Sequence, residues 1–320
     1  MRIIFLGSPQ CVVPILENLL DLKSYQTVAV ISQPAKSKGR SKTLVDPPVA
    51  LYAKAKKIKV LQPEKTSDEF FLKELRELKP DICITAAYGK ILSKNLLQIP
   101  TRATINIHPS LLPKYRGATP VQSALFDGEK TTGITILFTV FELDAGNIII
   151  QKKFPIENNE CSEDLLARLF RTSSPMLEDA LNTLSRDNNF KGIPQEIKDV
   201  TFCHKIVKNK GVVNWNQENT KIYNQYRALK PWPGSYTFFN KKRIILEEVK
   251  IEELETNNIE KRGPGSLHFM VKTKNLLVET KNGFIRIIAL KPEGKKKVSS
   301  TQFWHGLQSK KQTHFNFEHE

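Results

Sequence analysis

The first 155 residues alternate short apolar runs with stretches of helical apolar spacing, and this alternation constrains the fold more than any other feature. Runs at Arg2–Leu6, Thr27–Ile31, Lys59–Leu61, Asp81–Ala86, Ala103–Ile107, Gly133–Val140 and Asn147–Pro155 read as strands. Between the first two, Val12–Leu22 places Val12, Ile15, Leu16, Leu19 and Leu20 on one helix face. Val49–Lys57, Ser67–Leu78 and Ser162–Leu184 also read as helices, the second with Ser67 or Asp68 near its N-cap. Strands alternating with helices predict an α/β fold with a doubly wound, mainly parallel sheet. Ligands of such sheets bind beyond the carboxyl ends of the strands, where the winding reverses. That edge is expected to gather the loops after Ala86, Ile107 and Val140.

Two common ligand classes are disfavoured. The first turn, Gly7-Ser8-Pro9, lacks G-x-G-x-x-G, and Gly128-Glu129-Lys130-Thr131 has no upstream glycine at phosphate-loop spacing, so neither a dinucleotide nor ATP is expected. The cysteines, Cys11, Cys83, Cys161 and Cys203, are widely spaced and suggest neither a zinc site nor a disulfide framework; no metal is expected. No apolar run approaches the ~20 residues of a membrane helix. Met1–Gly7 offers no signal-peptide core, so a cytoplasmic location without a membrane partner is expected.

Beyond Leu184 the periodicity fades. Residues 188–211 are polar and read as a linker between a first domain, 1–187, and a second, 212–320. The second starts with a helix at Thr220–Leu229, followed by Pro231-Trp232-Pro233-Gly234. Short β-like runs at 235–239, 243–251, 267–272, 275–279 and 284–290 predict a smaller barrel or sandwich. A short helix is expected around Ser300–Gln308.

Chemistry concentrates after the fifth run. Asn106 and His108 stand two apart on a strand and so project the same way. Asp144 sits in the turn Glu142-Leu143-Asp144-Ala145-Gly146, after the next strand. Together these offer an imidazole that titrates near neutrality, an uncharged amide donor and a carboxylate. Taken singly, a strand-end histidine, a capping asparagine or an Asp-Gly turn is ordinary structure.

The longer context resolves that ambiguity. The run N-I-H-P-S-L-L-P-K-Y-R-G-A-T-P at 106–120, followed by L-D-A-G at 143–146, resembles the folate-dependent formyltransferase superfamily. The opening R-I-I-F-L-G-S-P-Q, the segment Q-P-A-K-S-K-G-R-S-K at 33–42, W-P-G-S at 232–235 and G-P-G-S at 263–266 extend the match nearly end to end. The resemblance implies a Rossmann-like formyltransferase domain, an OB-like second barrel, and 10-formyltetrahydrofolate as formyl donor. It also implies catalysis by Asn106, His108 and Asp144. Ser110, Leu111, Leu112 and Pro113 would border the bound folate, and Tyr88, Gly89, Ile91 and Leu92 would wall its pteridine pocket. Lys114 and Arg116 would meet either the folate tail or the acceptor. The segment Phe138-Thr139-Val140-Phe141-Glu142 departs from the family, which has a methionine-aspartate pair and a glycine there.

Charge favours one acceptor. The net charge is +16. Residues 101–200, which hold the candidate site, carry 11 basic and 13 acidic side chains; residues 201–320 carry 22 and 11. The 17-residue connection Ser32–Pro48 holds Lys36, Lys38, Arg40 and Lys42 and no acid before Asp46. Long loops in compact domains are usually functional or disordered, and this one suits nucleic-acid phosphates. A glycinamide ribonucleotide or an amino sugar would need no basic second domain. A non-catalytic RNA-binding protein would need no folate, and hydrolysis of the donor would leave the basic surfaces idle. The leading expectation is therefore a monomer that formylates initiator methionyl-tRNA, held partly by Lys295, Lys296 and Lys297. Changing those three lysines together to Ala should lower the slope of log tRNA affinity against log salt by up to about three, as titrations at several salt concentrations would show. An unchanged slope removes them from the interface.

Overall fold

A computed structural model describes residues 1–37, 43–252, 259–307 and 314–316. The chain forms two compact units. The first comprises Met1–Pro120, Thr131–Ile156 and Asp164–His204; the second comprises Val121–Lys130, Glu157–Glu163 and Lys205–Glu320.

The first unit opens with β1 (Arg2–Gly7), α1 (Val13–Asp21) and β2 (Gln26–Ile31). Two-residue strands β3 (Lys36–Ser37) and β4 (Leu44–Val45) pair antiparallel within the long connection. Then follow α2 (Pro48–Ala55), β5 (Val60–Leu61), α3 (Glu69–Glu77), β6 (Ile82–Ala86), α4 (Lys94–Leu97), β7 (Ala103–His108) and β8 (Arg116–Gly117). After α5 (Pro120–Phe126), which belongs mostly to the second unit, come β9 (Thr131–Phe138), β10 (Ile148–Pro155), α6 (Ser162–Thr172), α7 (Ser174–Arg186) and β11 (Phe202–Cys203).

The main sheet has the order β10-β9-β7-β6-β1-β2-β5. Five strands, β5, β2, β1, β6 and β7, run parallel. The chain winds outward from β1 through β2 and β5, then returns to β6 on the other side of β1, as a doubly wound sheet requires. Ile3 and Phe5 point to one face of β1 and Ile4 and Leu6 to the other, and all four are fully buried. A strand covered on both faces has no reason to alternate polar and apolar residues, hence its continuous apolar run. On one face Ile4, Leu6, Ala29 and Ile31 pack with Phe71, Leu72 and Leu75 of α3. Asp68 caps α3 by accepting from the Phe71 N–H.

Two expectations need correction. β9 runs antiparallel to β7, with Ile105 opposite Phe138 and His108 opposite Thr135. Its carboxyl end therefore points away from the edge where β6 and β7 finish, and the chain after Phe138 must turn back to bring Asp144 to His108. The single helix expected over Ser162–Leu184 is two, α6 and α7. Pro175, in the first turn of α7, has no N–H to continue the α6 ladder, and the Ser173 hydroxyl donates to the Phe170 carbonyl at 2.7 Å. The segment 188–204 belongs to the first unit, where β11 pairs with β8.

In the second unit, α8 (Asn219–Leu229) precedes β12 (Tyr236–Phe239), β13 (Lys242–Ile251), β14 (Leu267–Met270), β15 (Asn275–Glu279), β16 (Phe284–Pro292), β17 (Val298–Ser299) and α9 (Ser300–His305). The strands form a curled antiparallel half-barrel in the order β12-β13-β16-β15-β14, with β17 beside β16. Residues 314–316 bridge Phe238 on β12 and Ser266 ahead of β14, so the two edges of the sheet share one short segment. Phe315 is 1% exposed and stacks on Trp215 within the core of this unit. Among the described residues no helix is long and apolar enough to cross a membrane. Cys83, Cys161 and Cys203 are buried, Cys11 is half-buried, and none is in a disulfide.

A buried polar cluster in this unit titrates. His268 Nδ1 lies 3.2 Å from Arg262 Nη2, which can only donate, so Nδ1 is bare and Nε2 carries the hydrogen toward Glu279 Oε2 at 3.3 Å. Burial, then the Arg262 charge, hold the His268 pKa below its usual 6.5 against the opposing pull of Glu279. Burial does the same to His314. Both histidines bind a proton more readily unfolded than folded, so the stability they contribute is present above 6.5 and lost as pH falls below it. Urea titrations should show the second unit weakening below that pH, and His268→Gln should flatten part of the slope. A wild-type midpoint that is level across this range would overturn the assignment.

Candidate active site

Asn106 and His108 lie on the same face of β7 because strand side chains alternate. Thr85 is the register partner of Asn106 on β6, and its hydroxyl donates to Asn106 Oδ1 at 2.6 Å. That contact fixes the amide orientation, leaving Nδ2 to donate to Asp144 Oδ1 at 3.1 Å. His108 is 3% exposed. Its Nε2 lies 2.9 Å from the Tyr115 carbonyl, which only accepts, so Nε2 carries the hydrogen. Nδ1 then faces Asp144 Oδ2 at 3.6 Å. The same carboxylate oxygen accepts the Gly117 N–H at 2.9 Å. The amide, the imidazole and the carboxylate thus form one cluster.

The turn that presents Asp144 is built for the purpose. Asp144 adopts φ 49°, a left-handed conformation that Asp and Asn tolerate better than most side chains. At Gly146 any Cβ would stand 1.8 Å from the Phe138 carbonyl, so the strand end and the turn can close only over glycine. Gln195 donates to the carbonyls of Asp144 and Gly146 at 2.8 and 2.7 Å. Arg116 donates to Gln195 Oε1 through Nε at 3.0 Å and Nη2 at 2.7 Å. Gln195, Thr85 and Gly117 were missed by sequence reasoning. Gln195 lies in a stretch without periodicity, Thr85 inside an apolar strand, and Gly117 acts through its backbone alone.

The segment Ser110, Leu111, Leu112, Pro113 leads directly out of β7 and is stapled to the sheet. Ser110 is fully buried and donates through its hydroxyl to the Lys114 carbonyl at 2.7 Å. Thr135 on β9 donates to the Ser110 carbonyl at 2.7 Å and accepts from the Leu112 N–H at 3.2 Å. Gln151 on β10 donates to the Leu112 carbonyl at 2.9 Å. The amides of Ser110 and Leu112 are thereby engaged within the protein. Tyr88 is 3% exposed and belongs to a core cluster against which the partly buried Leu92 packs, while Gly89 and Ile91 are exposed. Burial pushes the Tyr88 phenol up to about 12, and among the described residues its hydroxyl has no hydrogen-bond partner. In the departing segment, Phe141 is exposed and Lys94 Nζ lies 4.5 Å from its ring centroid.

Lys36 is exposed and donates to Gln33 Oε1 at 3.0 Å, and Gln33 donates to the Tyr88 carbonyl at 2.8 Å. Lys38, Arg40 and Lys42 lie outside the described residues. Lys295, Lys296 and Lys297 are exposed between β16 and β17 of the second unit. Among the described residues no group of three or more His, Cys, Asp or Glu is placed to hold a metal ion.

Residues 1–181 match the formyl transferase family model, and residues 205–308 match that of the formyl transferase C-terminal domain. A methionyl-tRNA formyltransferase from Halalkalibacterium halodurans is 37% identical over 309 residues, covering 97% of this chain and 96% of the relative. Others 34–37% identical bear the same name. Among solved structures, HypX from Aquifex aeolicus in complex with tetrahydrofolic acid superimposes with a TM-score of 0.66 at 18% identity, over 96% of this chain but 48% of HypX. WlaRD, a sugar 3N-formyl transferase, gives a TM-score of 0.65 at 20% identity over 92% of this chain and 99% of its own. At such identities these structures speak for the fold alone.

Gly117 tests how tightly the cluster is packed. It has φ 124°, and a Cβ there would meet the Cys203 carbonyl at 2.2 Å. Gly117→Ala should cost roughly 1–3 kcal/mol in urea unfolding from backbone strain and collision together. Gly294→Ala is the control, with φ 71° and nothing within 4 Å of its Cβ. Equal losses in the two variants would mean that strain alone acts and the β8–β11 approach has slack.

Proposed function

The chain belongs to the formyl transferase family, and on that premise we propose that it transfers the formyl group of 10-formyltetrahydrofolate to the free amino group of initiator methionyl-tRNA, giving N-formylmethionyl-tRNA for translation initiation. The observation that carries the reading is the meeting of Asn106 and His108 at one carboxylate, Asn106 donating to Asp144 Oδ1 and His108 Nδ1 lying 3.6 Å from Asp144 Oδ2. An α-amino group of pKa ~7.7–8.0 is largely protonated at pH 7 and must lose a proton before it can attack. His108 is the base in this reading. The Tyr115 carbonyl holds its Nε2–H, so Nδ1 is the nitrogen free to take a proton, and Asp144 beside it stabilises the imidazolium that results.

As the amine nitrogen bonds to the formyl carbon, the carbonyl oxygen becomes an oxyanion. Asn106 Nδ2 has two N–H bonds, one committed to Asp144, and the other is available to that oxyanion. Collapse breaks the carbon–N10 bond, and the proton taken by His108 is available to the leaving tetrahydrofolate. The segment Ser110, Leu111, Leu112, Pro113 and the residues Tyr88, Gly89, Ile91 and Leu92 would receive the folate.

The basic excess supports tRNA as acceptor over a small amine. Residues 201–320 carry net +11. In this reading the first unit does the chemistry and the second anchors tRNA through phosphates, with Lys295, Lys296 and Lys297 among its contacts. Lys36, Lys38, Arg40 and Lys42 would grip the end of the tRNA that enters the site. The enzyme would act as a cytoplasmic monomer.

The test is direct. Incubation with 10-formyltetrahydrofolate and charged initiator tRNA should give formylmethionine after deacylation, and its absence would overturn the reading. His108→Ala, Asn106→Ala and Asp144→Ala should each lower kcat by at least ~10²-fold in a folded protein, with combined effects far from additive. Near-normal turnover in any one of them would remove that residue from the mechanism.

A further inference from the structure

We infer that Gln195 is a positioning residue of this site, a clamp that holds the Asp144 turn in its working conformation. Its side chain is half-buried, and every hydrogen-bonding valence of its amide is used. The two N–H bonds go to the carbonyls of Asp144 and Gly146, at 2.8 and 2.7 Å. The two lone pairs of Oε1 receive Arg116 Nε and Nη2, at 3.0 and 2.7 Å. The guanidinium thus fixes which way the amide faces, because a flipped amide would set its NH₂ against a group that only donates.

The clamp acts where the backbone most needs it. Asp144 sits at φ 49°, and a non-glycine residue held there is strained unless its surroundings determine it. Its carboxylate is held by Asn106 and Gly117, and its own carbonyl by Gln195. The carbonyl two residues on is held by the same side chain. Deleting the amide frees both carbonyls, and the turn can relax toward ordinary φ. The carboxylate then moves off Asn106, Gly117 and His108 although none of them has changed. Arg116 is accordingly the outer half of the clamp. Its Nε and Nη2 are turned toward Gln195 rather than toward a folate tail or an RNA end.

Two measurements test the inference, and only the kinetic one rests on the formyl-transfer reading. The Gly117 N–H donates to Asp144 Oδ2, so its hydrogen exchange reports whether the carboxylate is seated. In Gln195→Ala it should exchange faster by on the order of tenfold, while the Ile84 and Ile105 amides within the sheet keep their protection. Gln195→Glu preserves size and the contact to Arg116 but sets an acceptor against both carbonyls. It should expose Gly117 as much as Ala does, whereas a residue that merely fills space would be rescued by Glu. In the kinetic arm, Gln195→Ala should lower kcat by roughly 10- to 100-fold with little change in KM for the formyl donor. In an Asp144→Ala background the same change should cost nothing further, because the group it positions is gone. Unchanged Gly117 exchange, rescue by Glu or an additive loss in the double variant would each overturn the clamp. If the wild-type protein formylates no charged tRNA, the formyl-transfer reading falls and the exchange measurement still decides the role of Gln195.

Discussion

Asp144 divides its carboxylate between the Asn106 amide and the Gly117 backbone N–H, with His108 Nδ1 3.6 Å from the shared oxygen. A carboxylate with a side chain only 13% exposed has lost most of its water, and donors must replace it. Each donor comes from a different part of the chain. Asn106 comes from a strand in the middle of the sheet, and Gly117 from a two-residue strand that exists only because β11 pairs with it. Much of the first unit's irregular structure serves to bring these two donors to one anion. That includes the β8–β11 pair, the glycines at 117 and 146 and the left-handed turn.

How much of this was legible depended on periodicity. The strands of the parallel sheet announce themselves because burial on both faces demands uninterrupted apolar residues. The pairing of Asn106 with His108 follows from strand alternation. The direction of β9 did not follow, since an apolar run reads the same parallel or antiparallel; only the registry of Ile105 with Phe138 reveals it. The break at Ser173 was foreshadowed by Pro175 but hidden by apolar spacing that continues through both helices. Gln195 was invisible because a polar residue in an aperiodic stretch carries no signal of what it will touch.

Arg116 shows how a charge beside a candidate site can also serve the scaffold. In the sequence it stands beside Lys114 in a loop near the candidate site, where either a folate carboxylate or a phosphate is a natural partner. In the structure its guanidinium is engaged by a neutral amide, and a planar fork of donors is well suited to that work. Net charge over a whole domain, as in residues 201–320, is a sounder guide to polyanion binding than one arginine near a site. The single residue can be absorbed into the scaffold, while an excess of eleven cannot.

Two buried histidines of the chain make the same point about neighbours. His268 meets a guanidinium at Nδ1, and a donor there denies that nitrogen a proton, so the ring stays neutral and serves the core. His108 meets a backbone carbonyl at Nε2, which fixes the same tautomer, but its bare Nδ1 looks at a carboxylate. Burial is common to both, and at His268 it is the first cause of the lowered pKa, ahead of the Arg262 charge. What differs is the group facing the second nitrogen, a donor at His268 and a carboxylate at His108. Burial then acts on the two clusters differently, disfavouring a proton on His268 in the half-barrel and keeping competing water from the Asp144 carboxylate, where each contact to charge is stronger for being dry.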